Sequence, residues 1–239
     1  MNTFKIKKRN TKMIAHRGLS GLEKENTISA FVAAGNRSYY GIECDVHKTK
    51  DGIFVIIHDD NTKRISCVDK KISECTYEEL LQVNINDVID NNPKAYLKIP
   101  TFIDYLDICL KYRKHCIIEL KGRFYKDDIE KLINIIESRN YIKNVTFISF
   151  TFEYLIDVRK INNQVSCQFL TAKYTPELLN LLTTYQMDLD IHYEAVTKDL
   201  IKELHDNNIL INIWTVNDPV IGEKLASWGA DYITTDILE

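Results

Sequence analysis

Glycine is scarce in this chain of 239 residues, with only eight copies, and none of them forms a phosphate-binding loop. The sequence contains neither a G-x-G-x-x-G segment nor a G-x-x-x-x-G-K-[ST] segment, so the usual nucleotide-binding loops of open α/β sheets are missing. Proline is rarer still, with four copies, and no proline-rich or glycine-rich linker divides the chain. We therefore expect a single domain.

Long apolar runs are also absent. No stretch approaches the roughly 18 apolar residues of a membrane span, and the basic segment 1–12 has no apolar run behind it, which predicts no secretory signal. The net charge of −3 argues against a protein that binds nucleic-acid backbones, although it leaves small anionic substrates open. We expect a cytoplasmic protein with a small-molecule substrate, without nucleic acid and without stable membrane insertion.

Cysteine pairs at metal-binding or redox spacing are missing too. The six cysteines are scattered, and no C-x-x-C segment occurs. The favoured interpretation is a set of reduced thiols in the core of a cytoplasmic protein.

Strand-like and helix-like segments alternate over most of the chain. A short apolar run near 13–15 predicts an opening strand, a capped helix is predicted at 28–34, and a second strand begins at Gly41. Six later strands are predicted at 117–121, 145–149, 166–170, 187–191, 209–215 and 231–234. Eight strands alternating with helices favour an α/β fold of the (β/α)8 TIM barrel type, with an open doubly wound sheet as the alternative.

The segment 60–115 interrupts this alternation. It is longer than an ordinary barrel connection, and it contains a short capped helix at 76–81 and a second helix at 101–112. We expect one barrel domain over 1–239, with this segment as a small insertion that follows the hairpin of the second strand and lies over one end of the fold.

A hairpin signal stands between the second strand and this insertion. The dipeptide Asp-Gly at 51–52 separates two β-prone runs, which favours a two-residue type I′ turn. In that register Asp45 lies directly opposite His58, and Glu43 shares their face by the period of two. Because buried unpaired charge is expensive, two carboxylates and an imidazole on one face predict a bound cation.

Polar side chains follow the C-terminal ends of several predicted strands, where barrel active sites are built. They are His16 and Arg17 on the first strand, Glu43 and Asp45 on the second, Glu119 and Lys121 on the third, and Trp214 on the seventh. The three carboxylates make an oxygen site suited to Mg²⁺ or Ca²⁺. Two histidines beside such a cation, His16 and His58, can divide proton transfer as acid and base. Arg17 and Lys121 are expected to neutralise an anionic substrate such as a phosphate.

The remaining residues of this kind have simpler interpretations. Trp214 is expected to contact the substrate with its flat apolar ring, with ordinary barrel packing as the alternative, and His192 is expected in the core or at the rim of the barrel. His47, His115 and His205 are expected to be surface groups.

The site residues belong to a longer series of motifs. The chain contains His-Arg at 16–17, Glu-Cys-Asp at 43–45 and His-Asp at 58–59. In this order they resemble the signature of the glycerophosphodiester phosphodiesterase family. Four further segments are similar to its other blocks, in order: 25–31, 118–121, 214–217 and 229–236. The chain differs at Lys24, where the family commonly has proline, and this change affects a loop entry only.

The resemblance implies a phospholipase-C-like barrel that hydrolyses glycerophosphodiesters to glycerol 3-phosphate and an alcohol. It implies that His16 and His58 are the acid/base pair, and that a divalent cation binds the three carboxylates. One alternative is a phosphodiesterase of the lysophospholipase D or sphingomyelinase D type on the same barrel, which would need an apolar docking surface. A second is a barrel that only binds phosphodiesters, which would be expected to lack a histidine or a carboxylate, and none is missing.

Overall fold

Eight parallel strands close into a barrel in the computed structural model, which describes residues 2–239. The strands are β1 (Lys12–Ala15), β2 (Gly41–Lys48), β4 (His115–Leu120), β5 (Val145–Ser149), β6 (Ser166–Thr171), β7 (Asp188–His192), β8 (Ile211–Trp214) and β9 (Tyr232–Thr235). The barrel closes because β1 pairs with β2 on one side and with β9 on the other. The predicted (β/α)8 barrel is confirmed. A further strand, β3 (Phe54–Ile56), pairs antiparallel with the end of β2.

Helices lie between the strands along the chain. They are α1 (Ile28–Gly35), α2 (Tyr77–Leu81), α3 (Phe102–Tyr112), α4 (Lys126–Glu137), α5 (Phe152–Ile161), α6 (Pro176–Tyr185), α7 (Lys198–Asp206) and α8 (Pro219–Trp228). Several begin directly after a threonine whose hydroxyl accepts a backbone N–H, as Thr27 does before α1 and Thr197 before α7. Such caps satisfy orphan donors of the first turn, and the three helices predicted to start at 28, 76 and 101 do start within one residue of these positions.

Alternate residues of the strands face different environments. On β2, Ile42, Cys44 and Val46 are fully buried in the apolar layer that the strands form with the surrounding helices. Glu43 and Asp45 alternate with them and therefore point into the barrel. Burying the outer apolar layer stabilises the barrel by roughly 25 cal/mol per Å² of apolar surface, and this holds the inward charges in place.

The hairpin register differs from the prediction by one residue. Asp45 is next to Ile57, whose N–H donates to the Asp45 carbonyl over 3.0 Å, and it does not lie directly opposite His58. The observed pairs are Val46 with Ile56, His47 with Val55 and Lys48 with Phe54.

The turn itself explains the shift. The loop has three residues, 50–52, and the N–H of Gly52 donates to the carbonyl of Thr49. Gly52 has a φ of +83°, whereas Asp51 is not among the residues with positive φ, so a type I′ turn was the wrong prediction. An Asp-Gly pair serves equally well in a three-residue loop that ends on a left-handed glycine.

Residues 57–101 leave the barrel and form an irregular segment that includes α2. Its apolar residues, among them Ile65, Leu80 and Leu97, build a small cluster with Val55. Helix α3, which the prediction placed in the insertion, packs against α1, β3 and β4 and precedes β4 as an ordinary barrel helix does. We therefore propose 57–101 as the bounds of the insertion. Among residues 2–239, no helix has the length and apolar character needed to cross a membrane.

Candidate active site

A cavity of about 180 Å³ opens where the parallel strands end. Seven of the eight site residues predicted from the sequence line it: His16, Arg17, Glu43, His58, Glu119, Lys121 and Trp214. The eighth, Asp45, is 1% exposed and contacts the lining residues Arg17 and Lys121. The predicted set therefore assembles in one place, although His58 arrives through the chain after β3 and not through the predicted pairing.

Three carboxylates form a cluster at the side of this cavity. Glu43, Asp45 and Glu119 are all buried, and each offers an oxygen within 4.8 Å of the others. Asp45 and Glu119 are register partners in the parallel pair β2–β4, which places their side chains next to each other. The arrangement follows from inward alternation on two neighbouring strands.

Two positively charged side chains, Lys121 and Arg17, partly balance the negative charge of the cluster. Lys121 Nζ lies 3.0 Å from Glu119 Oε1 and 3.7 Å from Asp45 Oδ1, and Arg17 Nε lies 3.4 Å from Asp45 Oδ2. Burial and then the charge of Asp45 raise the pKa of Glu43 and of Glu119. Burial also opposes ionisation of Asp45, but Arg17 and Lys121 outweigh it and lower the pKa of Asp45.

The cluster fits a hard divalent cation. Its donors are carboxylate oxygens, which Mg²⁺ and Ca²⁺ prefer. Asp45 Oδ1 is buried and has no hydrogen-bond partner, and a cation would supply the missing contact.

The chain that follows β1 donates hydrogen bonds to two of these carboxylates. The backbone N–H of Arg17 donates to Glu43 Oε2 over 2.6 Å, and Asn26 Nδ2 donates to Asp45 Oδ2 over 2.7 Å. Arg17 has a φ of +52°, a left-handed conformation that is uncommon for a long side chain and carries strain of about 1–3 kcal/mol. The strained backbone at Arg17 therefore directs its N–H toward Glu43, and this conformation lowers the local stability.

His16 is held by an aspartate that the sequence analysis did not assign. Its Nδ1 lies 2.7 Å from Asp236 Oδ1, and Asp236 also accepts from Ser20 Oγ over 2.8 Å and from Asn217 Nδ2 over 2.6 Å. Burial would raise the pKa of Asp236, but these hydrogen bonds outweigh burial and lower it to about 2. The charged aspartate fixes Nδ1 as the protonated ring nitrogen and leaves Nε2 for a reactant. Asp236 is the last residue of the segment 229–236, which resembles a block of the family. That resemblance was the one sequence signal that could have pointed to it.

His58 has a matching partner in the next residue. Its Nδ1 lies 2.6 Å from Asp59 Oδ1. Burial lowers the pKa of His58, and the nearby charge of Asp45 acts in the opposite direction. Both histidines therefore present the same ring nitrogen, Nε2, as the one without a protein partner.

Trp214 forms an apolar wall of the cavity together with Phe150. Their rings pack edge to face with 5.8 Å between the ring centroids. The ring of His192 packs against Trp214 in the same way, with 5.1 Å between the centroids. Trp214 Nε1 is buried without a partner. Trp214 therefore lines the cavity, and His192 lies at the rim as expected.

Two expectations about histidines were wrong. His47 is only 6% exposed, and its Nε2 lies 3.2 Å from the carbonyl oxygen of His58. It lies two residues after Asp45 on β2, so the period of two could have placed it inside. His115 is half-buried and its Nε2 is 2.9 Å from Thr146 Oγ1, whereas His205 is exposed as expected.

The cavity also contains a carboxyl group that the sequence analysis missed. Asp190 on β7 is 1% exposed, and its Oδ1 has no hydrogen-bond partner. Burial raises the pKa of Asp190, and the charge of Glu119 adds to the effect. Asp190 points into the barrel because alternate residues of β7 face inward. The sequence analysis assigned no site residue to this strand.

Comparison with known proteins agrees with this geometry. The sequence profile of the glycerophosphoryl diester phosphodiesterase family matches residues 16–239. A glycerophosphodiester phosphodiesterase from Bacillus altitudinis is 30% identical over 232 residues, which cover 95% of this chain and 94% of that protein. One from Caldanaerobacter subterraneus is also 30% identical, over 229 residues and with the same coverage.

A solved structure shows the same fold. The phosphodiesterase of Oleispira antarctica, in complex with the product sn-glycerol-3-phosphate, has a TM-score of 0.87 to this structure at 23% identity, covering 94% of this chain and 92% of that one. At that identity the likeness establishes the barrel, and the sequence matches establish the relationship. The chain belongs to the glycerophosphoryl diester phosphodiesterase family.

Proposed function

We propose that this protein hydrolyses glycerophosphodiesters to glycerol 3-phosphate and an alcohol. The observation that carries the proposal is the pairing of two histidines, each held at Nδ1 by an aspartate, on one cavity with a buried carboxylate cluster. Membership of the family supplies the substrate class. A binding protein without activity would not need two oriented imidazoles.

A divalent cation, Mg²⁺ or Ca²⁺, belongs to the proposal. Glu43, Asp45 and Glu119 would hold it, and it would supply charge that stabilises the phosphoryl oxygens in the transition state. Arg17 and Lys121 already lie against these carboxylates, and their cationic groups would hold the substrate phosphate from the protein side. Trp214 and Phe150 would contact the three-carbon backbone of glycerol.

The two histidines divide proton transfer in this proposal. His16 acts as the base toward the glycerol hydroxyl next to the phosphoester, which attacks phosphorus, and His58 protonates the departing alcohol oxygen. Water then opens the resulting cyclic phosphate to glycerol 3-phosphate. Asp236 and Asp59 accept the Nδ1–H of each ring, and their negative charge stabilises the positive charge that the ring carries at one stage of the reaction. Neither aspartate needs to change its own protonation state.

The experiment measures turnover of a panel of glycerophosphodiesters with and without chelator, together with calorimetric titration of Mg²⁺ and Ca²⁺. We expect glycerol 3-phosphate as the common product, activity lost in chelator, and a Glu119→Gln variant with weakened metal binding. Full activity in excess chelator would remove the metal from the proposal. A wild-type protein that cleaves no member of the panel would overturn the function.

A second candidate is cleavage of long-chain lysophospholipids. The insertion exposes more apolar surface than its own small cluster uses, since Ile89 is 78% exposed and Val88 and Val68 are each 46% exposed. Lysophosphatidylcholine therefore belongs in the panel. A kcat/KM at least tenfold above that for glycerophosphocholine would favour this candidate.

The cytoplasmic location also remains part of the proposal. All six cysteines are free, and five of them are buried. A chain kept in a reducing compartment retains such thiols without forming disulfides.

A further inference from the structure

One arginine of the insertion contacts two carboxylates near the cavity. Arg64 Nη1 lies 2.7 Å from Glu25 Oε2 and Nη2 lies 2.9 Å from Glu25 Oε1, a bidentate pair. The same guanidinium reaches Asp59, with Nε 2.8 Å from Oδ2 and Nη2 3.2 Å from Oδ1. Paired N–H donors to two carboxylates are a geometry that only a planar guanidinium provides.

Each of these carboxylates continues to a residue of the candidate active site. Asp59 Oδ1 lies 2.6 Å from His58 Nδ1, and Glu25 Oε1 lies 2.9 Å from Arg17 Nη1. A single guanidinium therefore connects the supports of His58 and Arg17, two cavity residues that lie far apart in the sequence. Burial opposes ionisation of Glu25 and of Asp59, but hydrogen bonds, those from Arg64 first, outweigh it, and the pKa of Asp59 falls to about 2.

The segment that carries Arg64 is itself well anchored. Ile65 is buried in the apolar cluster of the insertion, and its N–H donates to the carbonyl of Thr62. Ser66 Oγ donates to the same carbonyl over 3.0 Å. The turn at 62–66 therefore presents Arg64 from a fixed backbone, and its contact with Glu25 joins the insertion to the chain after β1.

We propose that Arg64 is a positioning residue, which holds His58 in place through Asp59 and Arg17 in place through Glu25. The inference rests on the proposed function. Without the guanidinium, the Asp59 carboxylate is free to rotate away from Nδ1, and Arg17 loses the support that directs it over the carboxylate cluster. Lysine cannot replace Arg64, because a single ammonium does not form the paired contacts to both carboxylates.

Three variants test this inference, with kcat and KM measured for the best diester of the panel. Arg64→Ala and Arg64→Lys should each lower kcat about 10- to 100-fold, the usual effect of losing a partner that orients a catalytic group. Lys63→Ala is the matched control, since it removes a positive charge from the adjacent exposed position, which makes no side-chain ion pair in the described structure. It should keep wild-type kcat.

Chemical rescue separates positioning from folding. Millimolar guanidinium should restore part of the kcat of Arg64→Ala, and it should leave Arg64→Lys and Lys63→Ala unchanged. The double variant Arg64→Ala/Asp59→Asn completes the test. Its loss of kcat should be much smaller than the product of the losses of the two single variants, because both changes remove the same support of His58.

Wild-type kcat in Arg64→Ala would overturn the inference. So would a loss that no guanidinium restores and that matches the unfolded fraction measured by circular dichroism. If the wild-type protein cleaves no diester at all, the proposed function fails instead, and the two failures are therefore distinguishable.

Discussion

The side chains of His16 and Asp236 lie 2.7 Å apart, although 220 residues separate them in the chain. The contact joins the end of the first barrel strand to the residue after the last, because β1 and β9 are neighbours where the barrel closes. Barrel closure therefore orients one of the two histidines that we propose for proton transfer.

We predict that Asp236→Asn lowers kcat by roughly 10²- to 10⁴-fold, because an amide at this position no longer fixes the Nδ1–H tautomer or stabilises the imidazolium. Steady-state kinetics check this, with KM expected to change little. Asp231→Asn is the matched control, since Asp231 Oδ2 contacts His205 Nε2 over 2.8 Å and neither residue lines the cavity. Equal losses in both variants would contradict the assignment.

We predict that His16→Ala and His58→Ala each lower kcat by roughly 10²- to 10⁴-fold, the range for a general acid or base. The pH–rate profile of the wild-type protein should be bell-shaped, and each variant should lose one limb. His205→Ala, at an exposed position, serves as the control. A variant that keeps near-wild-type kcat would show that its histidine is structural.

We predict that a hydroxyl of glycerol next to the phosphoester attacks phosphorus. Such intramolecular attack can lower the barrier by around 7–11 kcal/mol when the geometry is right. The 2-deoxy analogue of glycerophosphocholine should therefore be nearly inert, and a cyclic phosphate should be detectable by ³¹P NMR before water opens it. Rapid cleavage of the deoxy compound would favour direct attack by water.

The same proposal makes a prediction about the alcohol. The cavity presents its polar and aromatic contacts to the phosphate and glycerol, so glycerophosphocholine and glycerophosphoethanolamine should have kcat/KM values within about tenfold, or roughly 1.4 kcal/mol. Competition between the two substrates in one reaction measures the ratio directly. A ratio far above tenfold would indicate a specific alcohol subsite.

We predict that Asp188→Asn stabilises the protein at neutral pH. Burial and the neighbouring charge of Asp231 raise the pKa of Asp188 to about 6, whereas an aspartate in the unfolded chain titrates at about 3.9. The folded protein therefore binds the extra proton, and this contribution to stability is lost as the pH rises from about 4 through about 6. The side-chain oxygen of the introduced amide would still accept the Leu210 N–H, which donates to Asp188 over 2.9 Å.

Thermal unfolding across this pH range measures the effect. The Tm of Asp188→Asn should exceed that of the wild type at about pH 7, and the two should converge toward about pH 4. Asp69→Asn, at an exposed position, should show no such trend. A pH-independent difference for Asp188→Asn would assign the effect to packing.

Local signals in the sequence were sufficient for most of the fold. Helix caps such as Thr27 and the alternation of apolar residues along β2 act within a few residues, so they identify elements and their inward faces without tertiary information. The same alternation identified Glu43, Asp45 and Glu119 as a group, because neighbouring parallel strands present their ends at one edge of the barrel.

Only the tertiary structure decided which groups support the site. The hairpin register depended on the turn, because the same Asp-Gly pair fits both a two-residue type I′ loop and the observed three-residue loop. Asp236 reaches His16 across the closure of the barrel, and Arg64 reaches from the insertion to Glu25 in the chain after β1. Contacts between residues so distant in the chain depend on the packing of the whole barrel, and no local pattern encodes them.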